Sequence, residues 1–209
     1  LYDKGSLFYA DFENYPKDKS QLPIGVFDSG TGGLTVLERL LELDRFNNIT
    51  GEPGADGILD FEGEDFSYLA DQANMPYGNY SSEKKDDYLK ELVVKDALAL
   101  LSSKYAENST EHQNPKGVKK PVKIIVIACN TATSYGLQDI STLLELSGTG
   151  VKVIGVVNAG VNAFLDFVSD TLKENATPAP QSGEIAVGVL ATVGTIASGA
   201  YERTMGEPQ

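Results

Sequence analysis

An α/β fold, a parallel sheet flanked by helices, is predicted by three features of the sequence. Short apolar runs alternate with longer segments of helical periodicity, the pattern of strands joined by crossover helices. The clearest run, residues 122–128 (Val-Lys-Ile-Ile-Val-Ile-Ala), is nearly continuously apolar, as expected of a strand buried on both faces of a parallel sheet. Each run also gives way to small, polar or glycine-rich residues, and ligands bind beyond the carboxyl ends of strands in such sheets.

Taken in order, residues 1–22 are polar and aromatic without a clear period and read as an extension. A first α/β domain is expected over 23–172. Residues 24–27 form a short strand, followed by a glycine turn and a helix with Leu34, Leu37, Leu40 and Leu41 at helical spacing. Residues 47–64, rich in Gly, Asp, Glu and Asn, read as a surface insertion. A second strand is expected at 66–70, then a loop over 71–80. A long helix follows, with Leu89, Leu92, Val93, Ala97, Leu100 and Leu101 on one face. A second polar insertion covers 106–121. After the strand at 122–128, a helix is predicted over 130–146, a strand over 151–157 and a helix over 161–172. Residues 173–183 read as a linker. Residues 184–209 read as the start of a second α/β domain, with a strand at 184–190 and a helix from 196, apparently truncated.

The bulk properties set limits. The chain has 209 residues, 41% of them apolar, enough to bury a core. Its net charge of -13 gives no basic face for nucleic acid. No apolar run reaches the roughly 18 residues of a membrane span, and no signal peptide is visible. One cysteine, Cys129, rules out an internal disulfide and argues against a structural zinc site.

The strand ends carry the chemistry. Gly30-Thr31-Gly32-Gly33 lacks the third glycine of a dinucleotide fingerprint, since position 35 is Thr35, and lacks the lysine of a Walker loop. A tight turn needing glycine and an anion site at a helix N-terminus both remain open on local pattern. Cys129 stands where a buried strand meets a helix start. A free Cys there is commonly a small buried hydrophobe. However, Asn130, Thr131 and Thr133 place donors directly beside the thiol, and a helix N-terminus lowers a thiol pKa from about 8.5. His112, the one histidine, lies in a polar insertion and reads as a solvated loop residue, and the acids of 47–64 lack the regular spacing of a calcium loop.

Four segments together resemble one family. Ile24-Gly25-Val26-Phe27-Asp28-Ser29-Gly30-Thr31-Gly32-Gly33-Leu34-Thr35-Val36 resembles the opening motif of glutamate racemases. Asp71-Gln72-Ala73-Asn74-Met75-Pro76-Tyr77-Gly78 resembles their second loop, and Ala128-Cys129-Asn130-Thr131-Ala132-Thr133 their first cysteine motif. Val189-Leu190-Ala191-Thr192-Val193-Gly194-Thr195-Ile196, on to Tyr201, resembles the threonine-rich segment opening their second half. The motifs occur in the family's order between residues 24 and 201. They are those of the aspartate/glutamate racemase family, most like glutamate racemase.

The resemblance implies a pair of similar α/β domains with the site between them, and interconversion of L- and D-glutamate without metal or other cofactor. It implies that Cys129 is one of two proton-transfer thiols, that Asp28 assists it, and that Ser29, Pro76, Tyr77, Gly78, Asn130, Thr131, Thr192 and Thr195 hold substrate. The expected partner is a small molecule, glutamate or aspartate, with no nucleic acid and no membrane. A homodimer, a cytoplasmic address and a role in supplying D-glutamate to the cell wall follow from the resemblance alone. The chain departs from the family in two places. The second cysteine, in a Cys-Thr-His segment after the threonine motif, is not among these residues, as expected of a truncated sequence. Asn158-Ala159-Gly160 replaces a loop that usually carries Pro before the Gly. A non-catalytic binder of acidic amino acids on the same fold, or an aspartate racemase, is the alternative.

Overall fold

Residues 24–28 and 124–127, about a hundred positions apart in the chain, lie side by side as parallel strands at the centre of a four-stranded sheet in the computed structural model. The structure describes residues 3–107, 115, 117–173 and 186–206. The elements run β1 (Ile24–Asp28), α1 (Gly33–Leu41), β2 (Phe66–Ala70), a 3₁₀ turn (Gln72–Asn74), α2 (Gly78–Ser82), α3 (Asp86–Leu101), β3 (Lys104–Tyr105), β4 (Gly117–Val118), β5 (Ile124–Ile127), α4 (Asn130–Ser147), β6 (Lys152–Gly155), α5 (Val156–Lys173), α6 (Val193–Ala197) and α7 (Ala200–Gly206). The sheet order is β2-β1-β5-β6, all parallel. The chain leaves β1 for one side and returns through β5 on the other, so the strand order reverses between β1 and β5. That reversal opens a crevice at the carboxyl ends of these two strands.

Right-handed crossovers put α1 on one face of this sheet and α3 and α4 on the other. Phe27, Ile125 and Ile127 point to the second face and join Leu89, Val93, Ala97, Leu100, Ile140 and Leu144 in the main core. All six apolar positions predicted for the face of α3 are buried. Helices α3 and α4 approach closely at Gly136, where a Cβ would lie 2.3 Å from Val93 Cγ1. At the carboxyl end of α3, the Lys119 ammonium donates to the carbonyls of Leu100 (2.9 Å) and Ser102 (2.5 Å), groups that the helix itself leaves without partners.

Several expectations change. The strand at 122–128 is shorter and not equally buried on both faces. Ile125 and Ile127 are buried, while Ile124 and Val126 are half-buried under the α1 face. Helix α1 itself leaves Leu34 and Leu41 exposed. Asn158-Ala159-Gly160 is not a strand-end loop: β6 stops at Gly155 and helix α5 begins at Val156, with Val157 and Val161 one turn apart and both buried. The strand expected at 184–190 is absent over 186–190, where Val187 and Leu190 are exposed. β-Propensity is only a fit to a half-buried pleated surface, and no strand of the sheet pairs with this segment. Residues 184 and 185 lie outside the described residues, as do His112 and most of the linker at 173–183.

Residues 1–22 are more than an appendage. Ala10, Tyr15 and Leu22 belong to the main core, and the Tyr15 hydroxyl donates to the Val122 carbonyl at 2.6 Å. The insertion at 47–64 is held by carboxylates accepting backbone N–H groups. Asp60 accepts from Arg45 and Phe46, Asp56 from Asn48, and Asp44 from Asp56 and Gly57. These acids staple a loop. Among the described residues no cluster of three or more His, Cys, Asp or Glu is placed to hold a metal ion. The second insertion is closed by an antiparallel pair, β3 with β4.

Candidate active site

A cavity of about 440 Å³ opens at the β1–β5 crevice. Its wall includes Asp28 and Ser29 after β1, Pro76, Tyr77 and Gly78 before α2, Cys129, Asn130 and Thr131 after β5, and Thr192 ahead of α6. Nine of the ten residues expected at the site therefore converge on one cavity. The tenth, Thr195, stands one layer back. It is fully buried, with its hydroxyl 3.2 Å from that of Thr131 and 3.0 Å from that of Thr192. It ties the two lining threonines together. The same segment is held to the first half of the chain by Tyr135, which donates to the Gly194 carbonyl (3.1 Å), and by Tyr201, which donates to Asn130 Oδ1 (2.8 Å).

Cys129 caps α4. Its extended backbone turns into the helix, and its sulfur accepts the Ala132 N–H at 3.4 Å. The Ser29 hydroxyl lies 3.5 Å from the sulfur. The sequence suggests a thiol of lowered pKa, and the structure reverses the sign. Burial pushes the thiol up, and the Asp28 charge adds to this. The Ala132 and Ser29 groups pull it down by less. At rest the group is therefore a thiol, and thiolate has to be generated in the site.

Asp28 is buried, and its Oδ2 accepts the Gly33 N–H at 2.9 Å. The first turn of α1 is thus served by the protein's own carboxylate, which favours the tight-turn reading of residues 30–33 over an anion site. Glycine is required there for space rather than for a left-handed backbone. A Cβ on Gly33 would meet Asp28 Cβ at 2.7 Å and Ala128 Cβ at 2.8 Å.

Sequence reasoning missed several participants. Met75, Val36 and Val156 line the cavity. Tyr68, on β2, donates to the Gly30 carbonyl at 3.2 Å, and its phenol is pushed up by burial and by the charges of Asp28 and Cys129. Alternation along β2 puts Tyr68 on the same face as Asp28, a relation legible once the register Val26–Tyr68 is known. Tyr77 is fully buried, and its hydroxyl bonds Asp71 and Asp96. Its phenol is engaged behind the cavity wall.

No family model matches the chain. Individual proteins do. The glutamate racemase of Oceanobacillus iheyensis is 31% identical over 188 residues, covering 90% of this chain and 47% of that protein. The glutamate racemase of Deinococcus radiodurans is 33% identical over 181 residues, covering 87% and 42%. Among solved structures, the glutamate racemase from Thermus thermophilus in complex with β-chloro-D-alanine shares the fold with a TM-score of 0.52 and 29% identity, over 90% of this chain and 50% of that one. The glutamate racemase from Campylobacter jejuni gives 0.53 and 26%, over 88% and 52%. The chain spans about half the length of the curated relatives it matches. In both sequence and fold, over the residues it has, the chain is similar to the glutamate racemases.

Proposed function

We propose that the protein takes part in cofactor-independent racemisation of glutamate, with Cys129 moving the α-proton on one face of the substrate. The observation that carries this reading is the setting of the Cys129 sulfur. It caps a helix within reach of Ser29, on the wall of a cavity whose other polar groups are Asp28, Asn130, Thr131 and Thr192. None of the lining residues is Lys or Arg. Substrate carboxylates are then held by neutral hydroxyl, amide and backbone donors, which also stabilise charge developing as the α-proton leaves. Asp28 supplies the negative charge that complements the substrate ammonium, and the same charge keeps the resting Cys129 thiol protonated. In one direction the Cys129 thiolate takes the α-proton, and in the other the thiol returns it.

The chain has one cysteine. The acid/base for the opposite face is therefore not a second thiol of these 209 residues. The family resemblance assigns that role to a cysteine of the second domain. D-Glutamate formed in this way would feed cell-wall precursors.

The test uses the full-length gene product in deuterated water, with L-glutamate and L-aspartate supplied separately and no cofactor added. Exchange of the α-hydrogen with inversion is expected, and the substrate that exchanges faster names the preference. Cys129→Ala is expected to abolish exchange in at least one direction, and full exchange in that variant overturns the reading. A second reading, a binder of acidic amino acids, draws support from the raised thiol pKa. Binding of glutamate by folded protein with no exchange of its α-hydrogen would establish it.

A further inference from the structure

Behind the cavity wall, one phenol oxygen is shared by two carboxyl groups. The Tyr77 hydroxyl lies 2.6 Å from Asp71 Oδ2 and 2.7 Å from Asp96 Oδ2. A phenol has one hydrogen, so it can donate to only one of them. Two ionised carboxylates would leave the other contact as an oxygen–oxygen repulsion in a buried place. The donors favour Asp71 as the ion, because Asn74 Nδ2 also donates to both of its oxygens at 2.9 Å. Asp96 is 7% exposed.

Among the described residues, the surroundings offer Asp96 no cation. The groups acting on it are Tyr77, from the loop ahead of α2, and Asp71, from the end of β2. β1, β2, α2 and α4 contain no Lys or Arg. On α3 itself, Lys95 pairs with Glu91 at 2.6 Å, and Lys90 is six residues away, more than one and a half turns.

We propose that Asp96 is present as the carboxylic acid, donating its hydrogen to the Tyr77 oxygen while Tyr77 donates to Asp71, and that this chain fixes Pro76, Tyr77 and Gly78 against the cavity. Asp96 is then a positioning residue for the substrate loop, set on a helix that does not line the cavity. Burial, the largest influence, and the Asp71 charge both act in this direction, pushing the Asp96 carboxyl up to about 7 against the opposing pull of Tyr77. Loss of that proton turns the contact repulsive and loosens the loop.

The consequence for turnover rests on the racemase reading; the protonation state does not, so two readouts separate them. In the full-length protein at neutral pH, infrared spectroscopy is expected to show the C=O stretch of a protonated carboxyl group. That band should titrate away as pH rises through about 7 and be absent from Asp96→Asn, which keeps a donor at the same place. In α-proton exchange, the wild-type KM should rise over the same pH range while that of Asp96→Asn stays flat. Asp96→Leu should raise KM about tenfold at every pH, the scale of one lost buried hydrogen bond. A neutral-pH spectrum without the band, a band that survives in Asp96→Asn, or an unchanged alkaline rise of KM in that variant would overturn the proposal. If no exchange is detected at all, the racemase reading fails and the infrared result still decides the state of Asp96.

Discussion

At Cys129 two influences oppose each other, and burial outweighs the helix N-terminus. Asp28 works with burial, because an anion beside a thiol disfavours a second negative charge. Replacing Asp28 with Asn keeps an oxygen for the Gly33 N–H but removes that charge. The pH dependence of Cys129 alkylation by iodoacetamide is therefore expected to move to lower pH in Asp28→Asn; an unchanged profile would show that the charge does not reach the sulfur. The residues around the thiol were legible in the sequence because each directly follows a strand or opens a helix, where βα units expose small polar groups. Asp96 was not. A lone acid inside an apolar helical stripe reads as a break in periodicity, and only the fold shows that it faces Tyr77. The orientation of Tyr77 and the supporting place of Thr195 were hidden for the same reason, since each depends on partners 19 to 64 positions away.

At the scale of elements, α3 joins the core to the site. Its apolar face packs on α4, and Asp96 on the same helix reaches Tyr77 in the loop ahead of α2. A buried acid of raised pKa gives stability a definite pH dependence. Between about pH 3.9, the ordinary Asp value, and about 7, the folded protein holds a proton that the unfolded chain has released. Stability from this group is full below that window and declines as pH rises through it, by up to about 4 kcal/mol for a shift of about three units. Urea denaturation across this range should show the decline, and Asp96→Asn should remove most of the slope. Periodicity located α3, α4 and β2 well, because long amphipathic stretches and apolar runs leave clear signatures. It failed at 186–190, where apolar residues without a pairing strand stay extended and exposed, and at 158–160, where the helix begins earlier than a strand-end loop would allow.

For the whole molecule, the crevice between β1 and β5 follows from sheet order, and sheet order is a matter of long-range pairing that no local pattern spells out. The same holds for the N-terminal residues, whose lack of period concealed three core positions. Tyr15→Phe keeps the ring but removes its bond to Val122, and is expected to cost about 1 to 2 kcal/mol, visible as an earlier denaturation midpoint. A change near zero would mean that the stretch adheres only through its apolar side chains. The threonine segment also reaches back across the molecule, through Thr131, Tyr135 and Asn130. Because Cys129 is the one cysteine of these 209 residues and shares the cavity wall with Thr192 of that segment, they carry their own gauge of closure. Within these 209 residues a thiol reagent samples a single, known position, and its rate of entry reads how often the two parts of the chain separate.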